Sequence, residues 1–128
     1  MSDAETPNRN SLNWFEIPVV DMERAKAFYS KIFDTEIQDF PMPGTEMAFL
    51  PQQGAGVGGA LVKADGYVPS TQGAVVYLNG DPDLSAVLGR VEEAGGKVEM
   101  GKFDIGEHGF CAFFHDSEGN RVGLHSNA

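Results

Sequence analysis

An internal repeat constrains this chain more than any other feature. The run WFEIPVVD (Trp14 to Asp21) returns sixty residues later as AVVYLNGD (Ala74 to Asp81), each an extended apolar stretch ending on an Asp ahead of an amphipathic segment. The ends match as well: AFLPQQGAGVGGALV (Ala48 to Val62) lies over AFFHDSEGNRVGLHS (Ala112 to Ser126) without a gap, at an offset of 64. One unit of strand, helix and hairpin cannot cover its own sheet, so two such units must pack on each other or enclose a cavity together. A pocket shared by the two halves is therefore the place to look for function.

At 128 residues with 41% hydrophobic content, the chain has enough apolar surface for one domain and is too short for two. The reading is a single domain over 1–128, made of module 12–63 and module 73–126, with 1–11 as a flexible tail. That tail has no apolar run and no cleavage pattern, which points away from a signal peptide or membrane span and toward the cytoplasm. The single Cys111 rules out an intrachain disulfide and suits a reducing compartment. Nine Lys and Arg against nineteen Asp and Glu leave a formal charge of −10 with no basic cluster. Nucleic acid is disfavoured as a partner, since phosphate binding needs concentrated positive charge. The acidic field would steer cationic ligands, or it serves solubility alone.

Local patterns place the elements. A strand over 12–19 leads to Asp21, an N-cap for a helix from Met22 to Phe33 in which Ala25, Phe28, Tyr29, Ile32 and Phe33 recur at helical spacing. Thr35 to Phe40 is extended, PMPG (Pro41 to Gly44) turns, and Met47 to Leu50 and Gly56 to Lys63 are strands. In the second half, Ala74 to Leu78 is a strand, Asp81 caps a helix with Pro82 in its first position, and Leu84, Val87, Leu88 and Val91 form its apolar stripe. Gly95-Gly96 stops that helix. Lys97 to Phe103, Gly109 to His115 and Asn120 to Ser126 supply the last strands, and 64–72 links the halves.

This order, with VDMERAKAFY (Val20 to Tyr29), EEAGGKV (Glu92 to Val98) and DSEGN (Asp116 to Asn120), resembles the vicinal oxygen chelate superfamily of glyoxalase I, extradiol dioxygenases and bleomycin-resistance proteins. The likeness covers about 12–126. WFEIP at Trp14, HGFCAFF (His108 to Phe114) and GLHS (Gly123 to Ser126) resemble the branch of lactoylglutathione-lyase relatives. The resemblance implies an α+β fold, two tandem βαβββ modules forming a curved, barrel-like mixed sheet around a pocket with the helices outside. It also implies a homodimer, with the pocket within one chain or across two.

Metal-dependent members carry one ligand on the first and one on the last strand of each module. By motif the first-strand position falls seven residues before the capping Asp, on Trp14 and Ala74. The last-strand position falls on Gly123, four after the hairpin glycine, and the hairpin offset maps it back to Gly59. None of the four can coordinate a cation through its side chain, so no metal and no cofactor is expected.

Other residues could act instead. Glu16 and Pro18 share the face of Trp14, and Arg121 and His125 that of Gly123. In the resembled fold Glu16 and His125 would look into one bowl as general base and acid, with His108 of GEHG (Gly106 to Gly109) as helper. The plain alternatives are a buried carboxylate satisfied by backbone donors or by Arg121 for Glu16, a surface or interface histidine for His125 and a turn residue bonding the backbone for His108. His115 is read as capping the last hairpin, and Cys111 as a small buried residue. Trp14, Glu16 and Arg121 are the expected ligand contacts, Trp14 as a stacking surface. GAGVGG (Gly54 to Gly59) opens no helix and is not a dinucleotide fingerprint.

Three functions stay open: a glyoxalase-like small-molecule-binding protein without the usual divalent metal, a metal-independent lyase or isomerase using Glu16 and His125, and an antibiotic-sequestering protein of bleomycin-resistance type. The expected partner is a small molecule, with no nucleic acid and no membrane.

Overall fold

The first half of the chain builds what its local pattern asks for. The structure, a computed structural model, describes residues 10–128; residues 1–9 of the expected tail lie outside the described residues. β1 (Trp14–Pro18) runs to Asp21, whose side chain accepts from the Arg24 N–H at 3.1 Å and opens α1 (Met22–Phe33). Of the five recurring apolar positions Ala25, Phe28, Tyr29 and Ile32 are fully buried and Phe33 is half-buried. Each of the three large, fully buried side chains contributes roughly 1.5–3 kcal/mol by leaving water. Asp34 ends the helix in the left-handed conformation (φ 52°). β2 (Glu46–Phe49) and β3 (Gly58–Lys63) follow; the expected extended segment 35–40 forms no strand and contributes a bridge from Asp39 to Ala48, and Met42 bridges Thr45 across the turn.

The second half departs from expectation at its helix. β4 (Tyr77–Asn79) is followed by a single α-helical turn, α2 (Ser85–Leu88), which continues as looser turns to Gly95 (φ 111°). Asp81 does not cap it, and Pro82 lies outside it. The Asp81 carboxylate is taken by the Asn127 N–H at 2.8 Å, and the Ser85 N–H is met by Asp83 at 2.9 Å. The apolar stripe survives this change: Leu84, Val87 and Val91 are buried, because packing on the sheet sets their positions whatever the turn type. β5 (Lys97–Asp104), β6 (Phe110–His115) and β7 (Arg121–Ser126) complete the chain.

The strands form two sheets, ordered β1-β3-β2 and β4-β7-β6-β5. In each, the first strand runs parallel to the last strand of its half, with antiparallel hairpins beyond. The expected single curved, barrel-like sheet is thus corrected to two small mixed sheets with no closed barrel. The physical reason is the position of the core. Ile17, Ala48 and Leu61 of the first sheet and Ala112, Phe114, Val122 and Leu124 of the second belong to one buried cluster with α1, and the Phe28 ring lies 5.9 Å from that of Phe114. A helix about 10 Å wide serving both sheets joins them through side chains instead of a backbone ladder, whose strands would sit about 4.8 Å apart. The opposite faces of both sheets point away from this core.

The hairpins of the two halves also slip against each other by one residue. Buried Ala48 and Ala112 keep the offset of 64, but their strand partners Leu61 and Leu124 are 63 apart, as are the strands Gly58–Lys63 and Arg121–Ser126. The first hairpin carries one more residue in its loop, which no ungapped comparison could absorb.

Candidate functional site

Glu16 lies half-buried on the face of β1 opposite Ile17, and an unpartnered carboxylate there would be costly. Its partner is the Tyr67 hydroxyl, which donates to Oε1 at 2.6 Å from the linker between the two halves. The contact raises the Tyr67 phenol above its usual range, the hydrogen bond to Glu16 being the main cause. Arg121, considered as that partner from sequence, pairs elsewhere. Its Nε donates to Glu99 Oε1 at 2.7 Å, and its guanidinium carbon lies 4.1 Å from the Phe113 ring centre. His115 Nε2 stands 3.2 Å from the same Glu99 oxygen, so His115 binds this carboxylate and does not cap the turn. The Arg121 hydrogen bond, ahead of its charge and that of His115, holds the Glu99 carboxyl below the usual range.

Glu16 and Arg121 nevertheless line the same groove, of about 170 Å³, where β1 of one sheet meets the start of β7 of the other. Ile17, Pro18, Val68, Val76 and Val122 make its apolar walls. The linker straps across it: the Ser70 N–H donates to Asn120 Oδ1 at 3.1 Å, the Arg121 N–H to the Ser70 carbonyl at 3.3 Å, and Asn120 Nδ2 to the Pro18 carbonyl at 2.8 Å. An anion and a cation facing a small apolar space can orient a ligand that carries both a donor and an acceptor.

Trp14, expected to line the pocket, stands on the outward face of the first sheet, 43% exposed, edge-on to Phe49 at 5.4 Å. Phe49 in turn stacks on Phe40 at 4.6 Å. The outward face of the second sheet carries its own aromatic group, with Phe113 between Tyr77 at 5.6 Å and Phe103 at 6.0 Å.

The histidines are dispersed. His125 Nε2 lies 2.6 Å from the His108 carbonyl and donates to it, pinning the short turn Gly106–His108, while the His108 side chain is exposed beside Glu107. His125 is not among the residues lining the groove with Glu16. Cys111 is buried as expected, and burial pushes its thiol up. Sequence reasoning missed Ser70 and Asn120 as parts of this groove and Tyr67 as the partner of Glu16. The linker has no periodicity to reveal them.

The four positions that would carry metal ligands hold Trp14, Gly59, Ala74 and Gly123. The strand register revises the set without changing its chemistry. Gly123 pairs with Tyr77, and its structural counterpart in the first sheet is Ala60, paired with Glu16; Ala74 precedes β4. At Gly123 a Cβ would come within 2.6 Å of the Tyr77 ring, so no donor side chain fits there while that ring keeps its place. Among the described residues no group of three or more His, Cys, Asp or Glu side chains is placed to hold a metal ion. The side chains at the positions mapped from the resemblance offer no carboxylate, imidazole or thiolate to a divalent cation. No helix among the described residues is long and apolar enough to cross a membrane.

A mixed α+β chain whose two sheets share one core and meet at a groove invites comparison with known families. The family described as Glyoxalase/Bleomycin resistance protein/Dioxygenase superfamily matches residues 11–124, and the chain belongs to it. It is 36% identical to a glyoxylase-like domain-containing protein of Didymella fabae over 116 residues, 85% of this chain and 88% of that one. It is 33% identical over 120 residues to CFP32 of Mycobacterium bovis, a glyoxylase by its name, and spans 44% of that longer protein. Among solved structures it is similar to TnmS3, an antibiotic binding protein from Streptomyces sp. CB03234, with 25% identity, TM-score 0.64, and 94% and 98% of the two chains covered. A glyoxalase/bleomycin resistance protein from the same strain shares 27% identity, with TM-score 0.64 and 88% and 97% covered.

Proposed function

We propose that this chain is a small-molecule-binding member of the superfamily that seats its ligand in the groove between Glu16 and Arg121, without a divalent ion held in the superfamily's way. The observation that carries the reading is the groove itself, which takes opposite charges from two different sheets and apolar walls from both. The donor-free positions Trp14, Ala60 and Gly123, with Tyr77 packed over the last, support the metal-independent part. The antibiotic binding named for TnmS3 agrees with a sequestering role, and the formal charge of −10 would favour a cationic compound.

An acid–base role for Glu16 and His125 would require both to reach one substrate. Each is hydrogen-bonded to a partner of its own, and no bond joins them, which favours binding over catalysis. A second copy of the chain is the proposed cover for the outward aromatics Trp14, Phe49 and Tyr77.

The test is a thermal-shift screen of the purified protein against cationic glycopeptides and aromatic amines, with E16Q and R121A alongside. Metal analysis and a methylglyoxal–glutathione assay with and without Ni²⁺ or Zn²⁺ accompany it. A ligand whose stabilisation disappears in E16Q supports the proposal. Metal-dependent turnover would overturn it.

A further inference from the structure

Resting on that reading, we infer that Tyr67 is a built-in occupant of the ligand seat: its phenol caps the Glu16 carboxylate and must leave before a drug-sized ligand can enter. Three observations lead there. The first is size. The groove holding Glu16 measures about 170 Å³, whereas sites for drug-sized molecules run to roughly 300–1,000 Å³.

The second is position. Tyr67 lines a separate, open groove of about 900 Å³ with Val20, Met42 and Lys63, while the next residue, Val68, lines the groove of Glu16. The Tyr67–Glu16 bond thus ties a residue that lines the larger space to one that lines the smaller. The third is strength. Tyr67 is 36% exposed and Val68 73% exposed, and besides the local Tyr67 N–H to Ala64 carbonyl bond at 3.1 Å it is one side-chain hydrogen bond at the surface that holds this part of the strap to β1. Ser70, tied to Asn120 and Arg121, is a fixed point from which the preceding residues can move.

The contact also names a ligand chemistry. What the chain itself places on Glu16 is an aromatic ring bearing an O–H donor, at 2.6 Å. A ligand able to replace it carries an aromatic hydroxyl or amine, and a positive charge would strengthen the exchange against the carboxylate. Trp14 lies on the same face of β1 two residues away, about 7 Å along the strand, near enough for its fluorescence to report a planar ligand on Glu16.

The experiment uses proflavine, a planar cationic diamine, at physiological salt. Trp14 is the sole tryptophan, so quenching of intrinsic fluorescence reports this face, and calorimetry supplies Kd. Removing the competing hydroxyl in Y67F should tighten binding about 5- to 10-fold. The gain should vanish in E16A/Y67F compared with E16A, because the acceptor for which phenol and ligand compete is gone. Binding to the wild type with no change in Y67F, or weaker binding in Y67F, overturns the occupant and leaves the groove intact as a binding site. Binding that is the same in E16A as in the wild type, or absent from every variant, sinks the site reading and the occupant with it.

Discussion

Arg24 and Glu118 are joined by two contacts, Nε to Oε2 at 2.6 Å and Nη2 to Oε1 at 3.1 Å, across 94 residues of sequence. The Glu118 side chain is fully buried and that of Arg24 about half exposed. Oε1 also accepts the Val20 and Asp21 N–H groups at 2.9 and 2.8 Å, at the entry to α1. One carboxylate from the last hairpin therefore ties the two halves together and satisfies backbone donors that would otherwise be stranded.

Removing that carboxylate leaves several donors unmet, so E118A should cost about 3–5 kcal/mol. R24A leaves the buried carboxylate with its two amide donors and the Ser117 hydroxyl and should cost less, about 1–3 kcal/mol. Urea unfolding of the two variants measures the difference, and equal losses would contradict the asymmetry.

Acid should act through the same group. Burial by itself would raise the Glu118 carboxyl, but the Arg24 hydrogen bond and the Asp21 and Val20 amides outweigh it and hold it below its usual range. A depressed carboxyl contributes stability above its unfolded value, about 4.3, and loses it as pH falls through the lower folded value. Wild-type stability should therefore fall more steeply than that of E118Q below about pH 4.3, read from urea midpoints across pH 3–7.

Tyr29 is fully buried and donates to Asp116 Oδ2 at 2.7 Å. Burial first, then the Asp116 charge and hydrogen bond, push its phenol well above the ordinary range. Its contribution is complete below about pH 10 and is lost as pH rises from there toward the folded value. In an ultraviolet titration of the three tyrosines, Tyr29 should ionise only with unfolding, and Y29F should cost about 1–3 kcal/mol.

Close approach rather than turn geometry accounts for two glycines in paired strands. A Cβ at Gly59 would lie 2.4 Å from the Phe15 ring and one at Gly123 2.6 Å from the Tyr77 ring, while one at Gly101 meets nothing within 4 Å. G59A and G123A should each lose about 1–3 kcal/mol as the rings are forced aside. G101A should stay within about 0.5 kcal/mol in thermal unfolding.

The outward aromatics make a prediction about assembly. Trp14 and Tyr77 are 43% and 49% exposed on faces that the core does not use. Light scattering behind size exclusion should show a dimer that W14A/Y77A weakens, and a wild-type monomer at tens of micromolar would refute the proposed pairing.

How much could be read in advance follows the range of the forces involved. The helix Met22–Phe33 and its Asp21 cap were legible, because helical period and capping distance act within a few residues, whereas the stop expected at Gly95-Gly96 falls earlier: α2 ends at Leu88, and only looser turns run on to Gly95. Both apolar stripes and most strands were legible for the same reason. Asp81 misled, since the Asn127 contact that removed it from capping comes from 46 residues away. The one-residue slip of the hairpins was hidden too, because loop length decides it and the repeated letters do not. Glu16 could be picked out as a costly carboxylate on an apolar strand, but its partner depends on the path of a linker that lays Tyr67 over it from 51 positions along the chain. Steric and hydrogen-bonding rules between near neighbours are written residue by residue. Which carboxylate meets which distant donor, and whether two sheets close or stand apart, is decided only when the whole apolar surface competes for one core.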